Sequence, residues 1–185
     1  MKLLFLAGII AAAEPVRPVI VHLIDNAGVP MERIQPASAI VMEIFKGIGV
    51  KIEWRLYRPT DGSAIEITLR DSTPHDLMPR AMAYAYPYEG VRIVVFYDRI
   101  LRRGAPTHVL AHVMAHEIGH VLEGSDGHSG DGIMKASWSA DDYGAMRLGQ
   151  LVFAPSDAEL IRKGVAARAQ KPMMAGSGKV PSGKE

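Results

Sequence analysis

The sequence has no cysteine among its 185 residues. This absence excludes disulfide frameworks, zinc–thiolate sites, iron–sulfur clusters and thiol nucleophiles, and it leaves histidine and carboxylate side chains as the strong metal ligands. An excess of charge of one sign is also lacking, because 21 Lys+Arg balance 20 Asp+Glu and the formal net charge is +1. Such a balance does not favour nucleic acid or an anionic membrane surface, so we expect neither as a partner. The 48% hydrophobic content is enough for the core of one domain.

The apolar run at residues 3–10 is too short to span a membrane. It follows a positively charged start and precedes three alanines at residues 11–13, an order typical of a secretory signal peptide with its cleavage site. We therefore expect residues 1–13 to be removed and the mature chain, without a membrane span, to be secreted or periplasmic. Residues 171–185 are rich in Lys, Pro, Gly and Ser, which predicts a disordered tail. Residues 14–170 are then expected to form one domain.

Hydrophobic periodicity predicts five strands and four helices between the two ends. The predicted strands cover residues 17–23, 50–56, 64–69, 81–86 and 91–97, and the predicted helices cover residues 30–46, 105–123, 139–148 and 156–168. Pro106 and Gly124 mark the start and the end of the long second helix. Ser156 and Glu159 have the spacing of a capping box at the start of the last helix.

The long helix contains the run His116-Glu117-Ile118-Gly119-His120, an HExxH pattern. Histidines four residues apart lie on one face of a helix, so both imidazoles can bind one cation, and Glu117 lies beside them as a candidate general base. Because this pattern is short, the residues that follow it have to support the interpretation.

A catalytic zinc usually takes three protein ligands, so a third ligand is expected near the helix. Glycines follow the helix closely and allow the chain to fold back. Both His128, twelve residues after His116, and Asp126, ten residues after it, can then reach the metal. A Gly-rich turn next presents Met134, an apolar residue suited to lie beneath the metal ligands.

The run from His116 to Met134, HEIGHVLEGSDGHSGDGIM, resembles the metzincin clan of zinc endopeptidases, whose pattern is HExxHxxGxxH followed by a Met-turn. The spacing of 18 residues from the first His to the Met equals that of matrixin-type members, although the glycine and the third histidine come later. The run is also similar to short secreted bacterial proteins in which HExxH is followed, after seven residues, by HSxxGIMK. This narrower resemblance implies His128 as the third ligand with Asp126 as the alternative, Met134 as the Met-turn, and one zinc per chain.

The sequence Ala-Tyr-Ala-Tyr-Pro at residues 83–87 resembles the edge strand of matrixin-type enzymes, which pairs antiparallel with bound peptide. The resemblance implies Ala83, Tyr84, Ala85 and Tyr86 as substrate-binding residues. An exposed sheet edge offers backbone N–H and C=O groups to an extended chain. An ordinary aromatic edge strand gives the same pattern.

Other titratable residues are expected to have structural roles. We expect His112 to pack within the protein, Glu123 to be solvated near the helix end, and His75 with Asp76 to be a solvated loop pair rather than a second metal site. Tyr143 is a candidate transition-state donor without a motif-matched position.

Together these features predict an α+β protein of zincin-like metalloprotease fold, with a twisted mixed five-stranded sheet, an active-site helix and a small C-terminal helical part. The predicted function is that of a secreted, monomeric zinc endopeptidase, in which Glu117 is the general base toward a zinc-activated water and the substrate is a peptide or protein. The alternative is a non-catalytic zinc-binding domain in which His128 and Asp126 both bind the ion. A gluzincin-type ligand set that uses Glu159 is a further enzyme alternative, but it leaves Met134 unexplained.

Overall fold

The computed structural model describes residues 17–57, 62–75, 81–86 and 91–170. The expected signal peptide and the expected disordered tail lie outside these residues and stay predictions. Within the described part of the chain, all strands lie before residue 97, together with one long helix, and the rest of the chain is mainly helical.

A mixed five-stranded sheet organises the described part of the fold, as predicted. Its strands lie in the order β2-β1-β3-β5-β4, and all neighbours are parallel except β4, which is antiparallel to β5 at one edge. The strands are β1 (Val19–Asn26), β2 (Ile52–Arg55), β3 (Ile65–Arg70), β4 (Ala83–Ala85) and β5 (Arg92–Phe96).

The described part of the chain contains five helices, four of which pack around the third, central one. They are α1 (Met31–Gly47), α2 (Tyr97–Leu101), α3 (Pro106–Glu123), α4 (Ala140–Arg147) and α5 (Pro155–Gln170). Helix α3 packs against α1 and α5 and also contacts β3, β4 and β5, so it lies at the centre of the structure. None of the described helices is both long enough and apolar enough to cross a membrane.

Alternation of side chains fixes which face of the sheet the helices cover. In β3, Ile65, Ile67 and Leu69 are fully buried, whereas the residues between them point to the other face. The register of β3 with β1 sets Ile65 beside Val21, which is also fully buried. A slip of one residue would expose this apolar row, so the pattern specifies the register.

The central helix α3 ends where the sequence predicts. Gly124 adopts a left-handed conformation with φ of 67° and donates its backbone N–H to the carbonyl of His120, 2.9 Å away. Every residue from Val109 to Leu122 is buried. A helix buried on all sides needs neighbours around its whole circumference, which the sheet, α1 and α5 provide.

Two local features differ from the prediction. The strand expected at residues 91–97 ends at Phe96, and the unpredicted helix α2 begins at Tyr97, whose hydroxyl accepts a hydrogen bond from Arg33. The capping box expected at Ser156 does not form, because Pro155 already occupies the first turn of α5. A capping box instead begins α4, where Ser139 and Asp142 exchange hydrogen bonds.

Gly164 is the position where α5 contacts α3, and a Cβ atom placed there would overlap the carbonyl oxygen of Leu122. We expect Gly164→Ala to lower the free energy of unfolding by about 1–3 kcal/mol, because the backbone of one helix has to move. Urea denaturation measures this change. Gly144→Ala in α4 is the matched control, since its Cβ would meet only the end of Arg147 at 4.0 Å, and we expect it to be neutral or stabilising. Equal stability of the two variants would contradict the described packing.

Candidate metal centre

His116 and His120 lie one turn apart on α3, with only 8% and 6% of their surfaces exposed. Their Nε2 atoms are 3.0 Å apart. The Nδ1 atoms point away from each other, toward the carbonyl oxygen of Ile133 at 2.8 Å and that of Ser125 at 2.9 Å. Because a carbonyl oxygen only accepts hydrogen bonds, each Nδ1 carries the proton and each Nε2 presents a lone pair. Two lone pairs therefore converge in a buried space.

A metal cation is the simplest group that satisfies both lone pairs. Burial, and secondarily the neighbouring His120, lowers the pKa of His116 to about 3, so a proton on this imidazole does not supply the missing positive charge near neutral pH. Burial also lowers the pKa of His120. Neutral imidazoles whose Nδ1 atoms bind backbone carbonyls have the orientation that zinc ligands usually have. The residues present thus fit a zinc ion.

His128 completes the group from the loop after α3. One ligand atom from each of the three histidines lies within 4.8 Å of the other two. The ring centroid of His128 is 5.3 Å from that of His116 and 4.9 Å from that of His120. The next residue, Ser129, holds the loop by donating its hydroxyl to the buried carboxylate of Asp157 at 2.6 Å.

The alternative ligands lie apart from this group. Within the described residues, the three histidines are the group of His, Asp and Glu side chains whose atoms are close enough to hold a metal ion. Asp126 lines the same cleft, and its charge opposes the lowering of the His120 pKa by burial. It is not a member of the group. Glu159 is exposed on α5 and pairs with Lys163 at 2.7 Å. His75 is exposed and also lies outside the group, while its neighbour Asp76 is not among the described residues.

Met134 packs against the turn of α3 that carries the histidine pair. Its side chain is 1% exposed and packs against α3 at Gly119, where an added Cβ atom would come within 2.7 Å of the sulfur. Gly132 allows the turn, because its φ is +68° and a Cβ there would lie 2.5 Å from the carbonyl oxygen of Val152. Asp131 accepts a hydrogen bond from the N–H of Gly132 at 2.7 Å, which stabilises the turn.

Glu117 faces a cleft of about 700 Å³ beside the three histidines. Its side chain is 6% exposed, and burial raises its pKa to about 8, while the backbone N–H of Ala85 donates to it and lowers the pKa somewhat. A buried carboxyl whose pKa lies close to neutrality can both accept and return a proton. The cleft is lined by the residues Ala81, Met82, Ala83, Tyr84, Ala85, Arg103, Val113, His116, Glu117, His120, Asp126, His128, Lys135, Ala136, Ser137, Trp138 and Tyr143.

The edge strand β4 borders this cleft, and its residues alternate between bonding to β5 and facing the sheet edge. Tyr86 donates its N–H to Arg92 and Phe96 donates its N–H to Met82, so residues 82, 84 and 86 bond to β5. In an antiparallel pair the residues between them face the other way, so Ala83 and Ala85 direct their backbone groups to the edge that pairs with no other described strand. Tyr84 and Tyr86 pack their rings on each other, 5.1 Å apart. Of the four residues predicted to bind substrate, Tyr86 alone does not line the cleft.

Comparison with known proteins supports the architecture. No known family profile matches the sequence, and no curated protein matches it. Among solved structures, the archaemetzincin from Methanopyrus kandleri is similar, with a TM-score of 0.56 at 15% sequence identity, over 80% of this chain and 96% of that one. The fold is zincin-like. At this identity the similarity concerns the arrangement of the elements, so the function has to be inferred from the site itself.

Within this zincin-like fold, several supporting contacts had little or no signal in the sequence. Trp138 donates its indole N–H to the carbonyl of Ile133 at 3.2 Å, the same oxygen that His116 binds. A glycine inside a strong helix is a signal of close packing, and Gly119 proves to be such a position. His112 is buried as expected, with Nδ1 bound to the carbonyl of His108 at 2.8 Å.

The expectation that Glu123 is solvated was wrong. Its Oε1 atom is buried and has no hydrogen-bond partner within the described residues. Burial, and secondarily the charge of Asp157, raises the pKa of Glu123 from about 4.5 to about 7. Helix α5, which carries Asp157, packs on this end of α3 and explains the burial.

The raised pKa of Glu123 predicts that the stability of the protein depends on pH. Its folded-state pKa exceeds the unfolded value, so the contribution of the protonated carboxyl is full below about pH 4.5 and is lost as the pH rises through about 7. Glu123→Gln keeps the neutral form at every pH. Its melting temperature in the presence of a chelator, followed by circular dichroism, should exceed that of the wild type by about 2–4 °C at pH 8 and by nothing at pH 4.5.

Glu159→Gln serves as the control for this prediction, because Glu159 is an exposed glutamate on α5. The control should show no gain at pH 8. A gain that is equal at both pH values would mean that the effect does not come from ionisation of Glu123.

Proposed function

We propose that this protein is a secreted zinc-dependent endopeptidase in which His116, His120 and His128 hold the ion and Glu117 acts as the general base. The observation that carries the proposal is the convergence of two imidazole lone pairs beside a buried carboxyl, in a cleft that an open strand edge borders. Similarity of the fold to an archaemetzincin is consistent with it. Export rests on the signal-like order of residues 1–13 alone.

The number of ligands favours catalysis over a purely structural role. Catalytic zinc sites use three protein ligands, whereas structural sites are closed by four. Asp126 lies outside the histidine group, so the group offers three. The non-catalytic alternative needs Asp126 to join them.

The edge strand provides a way to hold a peptide without reading its sequence. The outward backbone groups of Ala83 and the carbonyl of Ala85 can pair with an extended chain that runs antiparallel to β4. The small alanine side chains allow α3 to approach this strand, so that the Glu117 side chain accepts a hydrogen bond from the backbone N–H of Ala85. The lining covers residues 81–85 without a break, which is room for several residues of substrate.

In the proposed mechanism Glu117 moves one proton twice. Zinc, when bound, would polarise the carbonyl to be cleaved and make a water more acidic. Glu117 takes a proton from the water whose oxygen attacks the carbonyl carbon, and the N–H of Ala85 keeps the carboxylate directed into the cleft. The carbon–nitrogen bond then breaks, and Glu117 gives the proton to the leaving amine nitrogen. Burial raises the pKa of Glu117 to about 8, which favours the protonated carboxyl between the two steps.

Glu117→Gln tests the function, because glutamine keeps the shape of the side chain but cannot accept the proton. We expect hydrolysis of an unfolded protein substrate to fall by about 10²–10⁴-fold while bound zinc, measured by mass spectrometry of the metal, is retained. A chelator should abolish the activity of the wild type. Glu159→Gln should keep both metal and activity, which also tests the alternative ligand set. Full hydrolysis by Glu117→Gln, or hydrolysis that a chelator does not reduce, would contradict the proposal.

A further inference from the structure

Arg103 lines the cleft that contains the three histidines and Glu117. It follows α2, and its guanidinium is above the ring of Tyr143, with 5.6 Å from the guanidinium carbon to the ring centroid. Arg99, four residues earlier, donates to the carbonyl of Ala81, so this segment borders the Ala81 end of the edge strand. The aromatic face orients the cation without neutralising it.

Positive charge is not compensated at this end of the cleft. Lys135, the other cation of the lining, pairs with Asp142 at 2.6 Å, and both side chains are largely buried. Arg103 makes no ion pair with any carboxylate in the part of the chain that the structure describes. The lining contains one other acidic side chain besides Glu117, namely Asp126, which is near His120. An anionic group in a bound molecule would therefore find a partner at Arg103.

The direction of a bound peptide determines which of its residues reaches this end. A chain antiparallel to β4 runs from Ala85 toward Ala81, and Glu117, which contacts Ala85, marks the bond that is cut. Four residues of extended chain cover about 13 Å. The residues on the C-terminal side of the cut thus extend to Arg103, at about the second to fourth position after the cleaved bond.

We propose that Arg103 is a specificity-determining residue that selects substrates with a carboxylate at about the second to fourth position after the cleaved bond. The inference rests on the proposed peptidase function and deepens it. Two sources can supply the carboxylate: the side chain of Asp or Glu within a longer chain, or the C-terminal carboxylate of a shorter one. Both present the planar pair of oxygens that a guanidinium binds well.

The test begins with the bond that the wild type cuts in an unfolded protein substrate, identified by mass spectrometry. Quenched fluorescent peptides of that sequence, with amidated C-termini, carry Glu, Gln or Lys at the second, third or fourth position after the cut. At low ionic strength we expect kcat/KM for the Glu peptide to exceed that for the Gln peptide by about threefold to tenfold at one of these positions. The change should lie in KM rather than kcat, and high salt should reduce it.

The variants assign the preference to a residue. Arg103→Ala should bring the ratio of kcat/KM for the Glu peptide to that for the Gln peptide close to one. Arg103→Glu should make the Lys peptide a better substrate than the Glu peptide. Arg102→Ala is the matched control, because Arg102 pairs with Asp98 at 3.6 Å and does not line the cleft, and the preference should persist in it. A second set of peptides, which end at the same positions with a free or an amidated C-terminus, distinguishes a terminal carboxylate from a side chain.

A binding experiment distinguishes failure of the proposed role of Arg103 from failure of the proposed peptidase function. Zinc-loaded Glu117→Gln protein is titrated with extended peptides of one fixed alanine-rich sequence, labelled for fluorescence anisotropy, which carry Glu, Gln or Lys at successive positions and are designed without a known cleaved bond. If the wild type cleaves no substrate, the proposed function fails, yet tighter binding of carboxylate peptides that is lost with Arg103→Ala would still support the role of Arg103. No preference in wild-type cleavage or binding, or a preference that survives Arg103→Ala, would overturn it.

Discussion

The structure depends on two imidazole lone pairs that face each other across 3.0 Å inside the protein. Because the Nδ1 atoms of His116 and His120 carry the protons, no proton lies between the Nε2 atoms and their lone pairs repel each other. Each ring is held by a backbone carbonyl that binds its other nitrogen, and both carbonyls come from the segment after α3. Folding of that segment therefore fixes the tautomers of the histidines and prepares them for a cation.

This arrangement requires close packing around one helix. A glycine inside a helix costs about 1 kcal/mol relative to alanine, yet Gly119 allows the sulfur of Met134 to lie against the turn that carries both histidines. On another side, Gly164 brings α5 into contact with the backbone of α3 at Leu122. Helix α5 also supplies Asp157, the acceptor for the Ser129 hydroxyl beside His128. The C-terminal helix thus supports the metal centre although it provides no ligand in the described structure.

The sequence predicts the parts of this architecture that depend on periodicity and on local motifs. The alternating strands, the long helix ending at Gly124 and the shared face of His116 and His120 follow from spacing alone. Contacts between distant segments could not be derived in this way. The hydrogen bond from Ala85 to Glu117 and the burial of Glu123 under α5 depend on how elements pack, which one sequence does not reveal. The capping-box pattern at Ser156 considers only Ser156 and Glu159. It takes no account of Pro155, with which the helix begins.

In the proposed metal centre, three histidines hold one cation and one coordination position stays open. Anomalous diffraction from crystals grown with zinc, recorded on both sides of the zinc absorption edge, locates the cation and its ligands. We expect one peak per chain at about 2.0–2.1 Å from a nitrogen of His116, His120 and His128, with no fourth protein ligand. A peak bound by Asp126 in place of His128 or in addition to it, or no peak in well-ordered crystals, would contradict this ligand set.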